Sequence, residues 1–146
     1  MTNTKNMQLQ SIIEPSAISA KSIWAGRVLS GLVVAFLLFD GILKVIPAQV
    51  VLDTIKQLGW SSDIDTARLL GLLTIVSTLL YAIPRTSVLG AILLTGYLGG
   101  AIATHVRIGS PLFTHILFGA YIGVMVWGGL WLRDARLRAL FPVHVS

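Results

Sequence analysis

Long apolar stretches constrain the fold of this chain more than any other feature. The clearest covers residues 23–46, whose middle from Leu29 to Phe39 holds no charged side chain. At about 1.5 Å per residue, a helix of this length crosses a hydrocarbon core about 30 Å thick. Charged residues make up 12% of the chain, whereas soluble domains carry about a quarter. We therefore expect a protein whose surroundings are lipid.

Three further apolar stretches cover residues 67–83, 87–106 and 112–132. Backbone polar groups inside a bilayer must be satisfied within their own segment, which favours helices. The sequence therefore predicts an all-α fold, a transmembrane four-helix bundle formed by residues 22–142. Residues 1–21 are polar and mixed in composition, and we expect them to form a flexible cytoplasmic tail.

The segment between the first two spans has a different pattern. Val51 and Ile55 recur at roughly helical spacing, and Asp53 lies on the opposite side. The segment is too short and too polar to cross a membrane, so it predicts a short interfacial amphipathic helix. Gly59 would end this helix and Trp60 would anchor it. An ordinary surface loop is the alternative.

Lysine and arginine residues predict the orientation of the bundle, because cytoplasmic segments of membrane proteins are enriched in them. Four spans place both termini on one side. That side holds Lys5, Lys21, Arg27, Arg85, Arg133, Arg136 and Arg138. The other side holds Lys44, Lys56, Arg68 and Arg107. We expect both termini in the cytoplasm, and we call the other side the outer side.

Composition also excludes several function classes. The chain has no cysteine, which excludes disulfides, thiolate metal sites and iron–sulfur clusters of its own. No tight spacing of histidine and carboxylate residues predicts another metal site. The net charge of +5 comes from basic residues at span ends, which favours contact with membrane lipid and not with nucleic acid.

Polar side chains from all four spans converge at the outer end of the predicted bundle. The candidate ligand-binding residues are Asp40, Lys44, Arg68, Tyr97, Thr104, His105, Arg107 and His115. Ionisable groups at membrane depth are costly unless they are paired or hydrated, so they indicate a site. Asp40 and His115 are also candidates for an acid or base in catalysis. The alternative is internal pairing, as between Asp40 and Lys44 one helical turn apart.

Small residues recur at four-residue spacing in the last two spans. Gly96 and Gly100 lie in the third span, and Gly119 and Gly123 lie in the fourth. Such rows let helices approach closely in lipid. They could therefore serve a homo-oligomer or a membrane-protein partner.

Several motifs resemble the DoxX-like family across residues 24–142. The matching motifs are Phe39-Asp40-Gly41 with Lys44, Tyr81-x-x-Pro84-Arg85-Thr86, the glycine-rich segment 89–101, Thr104-His105-x-Arg107, Pro111-Leu112-Phe113-x-His115 and the segment 127–134. The resemblance implies a small four-helix protein of the bacterial inner membrane. Name-giving relatives resemble subunits of a thiosulfate:quinone oxidoreductase, others are linked to redox stress, and distant ones resemble assembly factors.

Three functions remain open from the sequence. The first is an accessory protein of membrane redox or lipid metabolism that binds a lipophilic ligand, a quinone or a lipid headgroup, at the outer end. The second is a membrane enzyme, such as an isomerase, a cyclase or an oxidoreductase subunit, acting on a hydrophobic substrate. The third is a structural or assembly subunit. Without cysteine, a thiol role would require a partner protein.

Overall fold

The computed structural model describes residues 18–46, 48–60 and 63–140, and the regular structure within these ranges is helical. The helices are α1 (Ala20–Val45), α2 (Gln49–Gln57), α3 (Ile64–Ala82), α4 (Ser87–Arg107), α5 (Leu117–Arg133) and α6 (Ala135–Leu140). A wide π-helical turn, Leu112–Ile116, leads directly into α5. Most of the predicted tail, residues 1–17, and the last two residues of the predicted bundle, 141–142, lie outside the described residues.

Among the described residues, four helices are long and apolar enough to cross a membrane: α1, α3, α4 and the π turn continued by α5. Large apolar side chains are exposed on the outside of these helices, and some polar side chains are buried beside the apolar core. Trp24 and Val124 are 69% and 73% exposed, whereas Thr74 and Thr78 are fully buried. Their hydroxyl groups donate to backbone carbonyls one turn earlier, at 2.8 and 2.7 Å. The predicted all-α four-helix class is confirmed, and α2 confirms the short helix between the first two spans.

Glycines set how closely the four long helices pack. The helices form a ring in which α1 contacts α3 and α5, and α4 contacts the same two helices. A Cβ atom at Gly26 would lie 2.8 Å from the Gly129 carbonyl oxygen, and one at Gly71 would lie 2.7 Å from the Gly41 carbonyl oxygen. Larger residues at these positions would push α1 away from α5 or from α3.

A buried tyrosine joins three helices at one end of the bundle, which we call the Tyr81 end. The Tyr81 hydroxyl donates to the Val126 carbonyl at 2.9 Å, and the Ser30 hydroxyl lies 2.9 Å from the tyrosine oxygen. Arg133 donates to the Tyr81 carbonyl at 3.2 Å. Since the tyrosine proton goes to Val126, the Ser30 hydroxyl donates to the tyrosine oxygen.

Helix ends follow local capping rules. Asp63 caps α3 by accepting a 2.6 Å hydrogen bond from the Thr66 amide. Helix α2 ends at Gln57, and Gly59, the residue predicted to end it, follows the C-cap residue Leu58 with a φ of +74°. The amides of Gly59 and Trp60 donate to the Lys56 and Ile55 carbonyls at 2.9 and 3.1 Å, the double hydrogen bond of a Schellman motif.

Candidate functional site

A cavity of about 530 Å³ lies at the opposite end of the bundle, which we call the α2 end. Here α1 and α4 end, and α3 and the π turn begin. The polar residues in its wall are Asp40, Lys44, Thr54, Tyr97, Thr104, His105 and His115. All of these except Thr54 belong to the set that the sequence predicted. Most of the remaining wall is apolar, from α1, α2, α4 and α5.

Asp40 and Lys44 form an ion pair on the last turns of α1. The Lys44 ammonium group donates to Asp40 Oδ2, as their spacing of four residues allows. Their side chains are only 34% and 20% exposed. The Lys44 nitrogen also lies 5.9 Å from the centre of the Tyr97 ring, where a cation–π attraction operates. The pair therefore brings two opposite charges to the cavity wall.

His105 is oriented by the turn that ends α4. Gly109 has a φ of +69°, and the Ser110 amide donates to the His105 carbonyl at 3.0 Å. This second Schellman motif folds Ser110 back over His105. The Ser110 hydroxyl then lies 2.9 Å from Nδ1 of the His105 ring, which fixes the direction of the imidazole.

His115 lies in the π turn. The amides of His115 and Ile116 both donate to the Pro111 carbonyl, at 3.1 and 3.3 Å. Proline lacks an amide hydrogen and is tolerated at a helix start. His115 Nδ1 lies 2.8 Å from the Thr114 hydroxyl. Single π turns recur at functional sites, although nothing in the sequence analysis predicted this one.

The two imidazoles meet in the cavity wall. The ring centres of His105 and His115 are 5.5 Å apart, and the ring planes make an angle of 62°. Both rings bond a hydroxyl group through Nδ1. Within the described chain, neither Nε2 atom takes part in a hydrogen bond. Each histidine can therefore donate or accept a hydrogen bond at that atom.

Two of the predicted site residues do not line the cavity. Arg68 is an exposed residue of α3, and its guanidinium lies 4.0 Å from the Asp65 carboxylate one turn earlier. Arg107 donates a 2.8 Å hydrogen bond to the Leu58 carbonyl at the end of α2. Both arginines thus lie on the exposed surface, where each contacts an acceptor of its own.

Helix α2 forms the roof of the cavity. Val51, Thr54, Ile55 and Leu58 contribute to the wall, and Ile55 is only 3% exposed. The sequence predicts the amphipathic helix but not its place over the cavity. The spacing of its apolar residues was the available signal, and the same spacing fits a membrane interface. Arg107, by bonding Leu58, ties the roof to α4.

Two phenylalanines form the side wall between α1 and α5. Phe36 and Phe118 pack edge to face, with ring centres 5.6 Å apart, and both line the cavity. Their exposed fractions are 41% and 44%. These rings therefore stand between the cavity and the apolar outer surface of the bundle.

The small-residue row of α4 borders this cavity. Gly96 and Gly100 belong to its wall. A Cβ atom added to either would meet no heavy atom of the described chain within 4 Å. In contrast, a Cβ atom at Gly119 would lie 2.8 Å from Ile102 Cγ1. Within the chain, the first two glycines leave space, and Gly119 brings α4 and α5 together.

The arrangement offers hydrogen bonds and apolar contacts to a small guest molecule. Imidazole, hydroxyl and ion-pair groups face an apolar chamber, which is the usual composition of a ligand site. Among residues 18–46, 48–60 and 63–140, no three histidine, cysteine, aspartate or glutamate side chains lie close enough to hold a metal ion.

Comparison with known proteins identifies the family and no closer relative. No curated protein and no solved structure matches the chain. A family model described as the DoxX-like family matches residues 28–129. This range includes the six predicted residues that line the cavity. The chain is thus a membrane protein with four candidate spans that belongs to the DoxX-like family.

Proposed function

We propose that this protein binds a lipophilic molecule by its polar headgroup in the cavity at the α2 end. A quinone or a lipid would fit this description, and the protein would act as an accessory to membrane redox or lipid metabolism. The observation that carries the proposal is the convergence of six predicted polar residues on one chamber. Its volume of about 530 Å³ falls within the usual range for ligand sites, about 300–1,000 Å³.

The apolar surroundings of the chamber support a lipophilic guest. Phe36 and Phe118 stand between the chamber and the exposed apolar surface of α1 and α5. An apolar tail that leaves between these rings would remain in contact with hydrocarbon, while the headgroup stays beside the histidines. Because the tail lies in hydrocarbon both before and after binding, the contacts of the headgroup decide whether the molecule is held.

Glycine substitutions on α4 give a sharp test, because a Cβ atom at Gly99 or Gly100 meets no atom of a neighbouring helix among the described residues. Gly100→Leu would place a side chain in the cavity, since nothing described lies within 4 Å of its Cβ position. Gly99→Leu is the matched control: its Cβ position is equally open, but Gly99 does not line the cavity. Both variants gain helix propensity relative to glycine.

The measurement is native mass spectrometry of the protein in lipid nanodiscs, combined with solvent extraction of the same sample. We expect the original chain and Gly99→Leu to carry a discrete bound molecule, and Gly100→Leu to lose it. A bound mass that is equal in all three proteins would contradict the proposed site. No bound mass in any of them, together with a protein that co-purifies in fixed ratio, would favour an assembly function.

A second candidate function is acid–base catalysis on the bound molecule. It is favoured by the two imidazoles, whose Nδ1 atoms are held by hydroxyl groups while both Nε2 atoms stay free of hydrogen bonds to the described residues. Orientation through one ring nitrogen is what proton transfer through the other requires. Asp40 and His115 are the residues to test. Conversion of the extracted lipid pool by the original protein, lost in His115→Gln, would establish catalysis.

We also propose that the protein lies in the bacterial inner membrane with both termini in the cytoplasm. The support is the excess of lysine and arginine on the terminal side of the bundle. The cavity would then open near the outer face of that membrane.

A further inference from the structure

We infer that the headgroup bound in this cavity is uncharged and is recognised through a carbonyl or hydroxyl group. This inference rests on the proposed function and names the class of ligand. It follows from the charged side chains that line the cavity and from the position of the nearby arginines outside its wall.

In the described part of the cavity wall, the carboxylate and ammonium charges balance each other. Asp40 and Lys44 are the carboxylate and the ammonium group among its described residues, and they pair with each other. An anionic or cationic headgroup would add a charge that this paired wall does not balance, because Lys44 or Asp40 would have to serve the headgroup and its present partner together. The added charge would then lie in a largely apolar chamber without a counter-ion of its own, which is unfavourable.

The nearby arginines do not change this balance. The Arg107 guanidinium bonds the Leu58 carbonyl, and Arg68 lies on the exposed side of α3 near Asp65. Neither residue belongs to the cavity wall. Phosphate groups are recognised in proteins mainly by such guanidinium forks and by lysine. In the described part of the wall, the lysine is paired with Asp40 and no arginine is present, so neither kind of side chain is free to bind a phosphate headgroup.

The groups that are available suit a neutral partner. The Nε2 atoms of His105 and His115 can each donate or accept a hydrogen bond. The Thr104 hydroxyl donates to the Gly100 carbonyl at 2.9 Å, so its oxygen remains an acceptor. A quinone ring supplies carbonyl acceptors, and a monoacylglycerol supplies hydroxyl donors and an ester carbonyl. Both classes share the neutral hydrogen-bonding chemistry of the site.

The experiment compares four probes at equal mole fraction in phosphatidylcholine nanodiscs that contain the full chain. Decylubiquinone and monoolein are neutral, oleoyl lysophosphatidic acid is anionic and oleylamine is cationic. Binding is counted by native mass spectrometry. We expect at least one neutral probe to bind about tenfold more tightly than both charged probes, which corresponds to about 1.4 kcal/mol. Which neutral probe binds distinguishes a ring carbonyl from a glycerol headgroup as the source.

Variants of the ion pair should reverse this preference in opposite directions. Asp40→Asn leaves Lys44 unpaired, and the anionic probe should then bind best. Lys44→Gln leaves Asp40 unpaired, and the cationic probe should then bind best. The double variant Asp40→Asn/Lys44→Gln restores a neutral wall and should restore the preference for neutral probes. If the double variant ranks the four probes as the original chain does, the single variants act through charge and not through a damaged fold.

The outcomes separate this inference from the proposed function. If a charged probe binds the original chain as tightly as the neutral ones, and Gly100→Leu abolishes that binding, the cavity is a ligand site and the inference is wrong. The inference is also wrong if Asp40→Asn leaves the order of the four probes unchanged. If no probe binds, or Gly100→Leu binds them all normally, both proposals fail.

Discussion

At the scale of single residues, Tyr81 performs a structural task that its position in an apolar span does not reveal. It is fully buried, and its hydroxyl links Ser30 of α1 to the Val126 carbonyl of α5 at 2.9 Å each. Burying a hydroxyl group in lipid surroundings without such partners would be costly. Tyr81 thus holds the Tyr81 end of the bundle closed while the α2 end encloses a cavity.

Replacing this tyrosine should destabilise the bundle without affecting the ligand site. Tyr81→Phe removes the partner of the Ser30 hydroxyl, and we expect a loss of about 1–2 kcal/mol in the free energy of unfolding. Tyr121→Phe, at an exposed position, is the control and should change little. Stability is measured by titrating lipid-micelle samples with sodium dodecyl sulfate. Equal stability of the two variants would show that the buried network contributes nothing measurable.

At the scale of elements, the long helices could be predicted because each needs only a long apolar run. The position of α2 could not, since the spacing of Val51 and Ile55 suits either a membrane surface or a chamber beneath the helix. The same ambiguity affects Gly96 and Gly100: small residues fit close packing, a partner surface or the border of a cavity. Only the three-dimensional path of the neighbouring helices distinguishes these possibilities.

The site residues likewise divide into those that the sequence could place and those that it could not. His105 and His115 could be placed near each other because both flank the turn between α4 and α5. Asp40 and Lys44 followed from their four-residue spacing. The directions of Arg68 and Arg107 depend on which acceptor lies nearest, Asp65 in one case and the Leu58 carbonyl in the other. A long side chain can reach several acceptors, so sequence position alone does not select one.

The roof helix gives a prediction at this scale. Arg107→Gln removes the 2.8 Å bond to the Leu58 carbonyl, so α2 should open more often. An exposed hydrogen bond of this kind contributes about 0.5–1.5 kcal/mol, and we expect amide exchange in residues 49–58 to accelerate roughly two- to tenfold. Hydrogen–deuterium exchange with mass spectrometry measures this. Arg68→Gln is the control, and equal exchange in both variants would show that Arg107 does not hold the roof.

At the scale of the whole molecule, the orientation of the bundle decides which compartment the cavity faces. The chain has no cysteine, so a single introduced thiol reports its own side of the membrane. Gln57→Cys lies at the end of α2, and Ala135→Cys lies at the start of α6 near the opposite end; both positions are exposed. Neither substitution alters a lysine or arginine residue that sets orientation.

We express the variants in a bacterial host whose outer membrane is permeable to the reagent and whose inner membrane is intact. We expect a maleimide that cannot cross the inner membrane to label Gln57→Cys in these cells. Ala135→Cys should react only after the cells are lysed. This expectation rests on the excess of basic residues on the terminal side of the bundle, because such residues are enriched in cytoplasmic segments. The reverse pattern would place the cavity near the cytoplasmic face and would contradict the proposed orientation.

The whole molecule thus combines a tightly packed end with an end that contains a cavity. At the Tyr81 end, Gly26 and Gly129 let α1 and α5 touch, and a buried hydroxyl network joins three helices. At the α2 end, glycines of α4 and the aromatic side wall leave a chamber. Such a division suits a protein that holds a guest molecule at one end and keeps its fold through the other.

The measurement that tests this account most directly is photocrosslinking with a neutral long-chain amphiphile that carries a diazirine beside its headgroup. The full chain is labelled in nanodiscs, with and without excess unlabelled amphiphile, and the labelled peptides are mapped by mass spectrometry. The account predicts labelling of residues 96–105 and 115–122 that the competitor removes. Labelling spread over lipid-facing residues such as Trp24 and Val124, with no effect of the competitor, would contradict it.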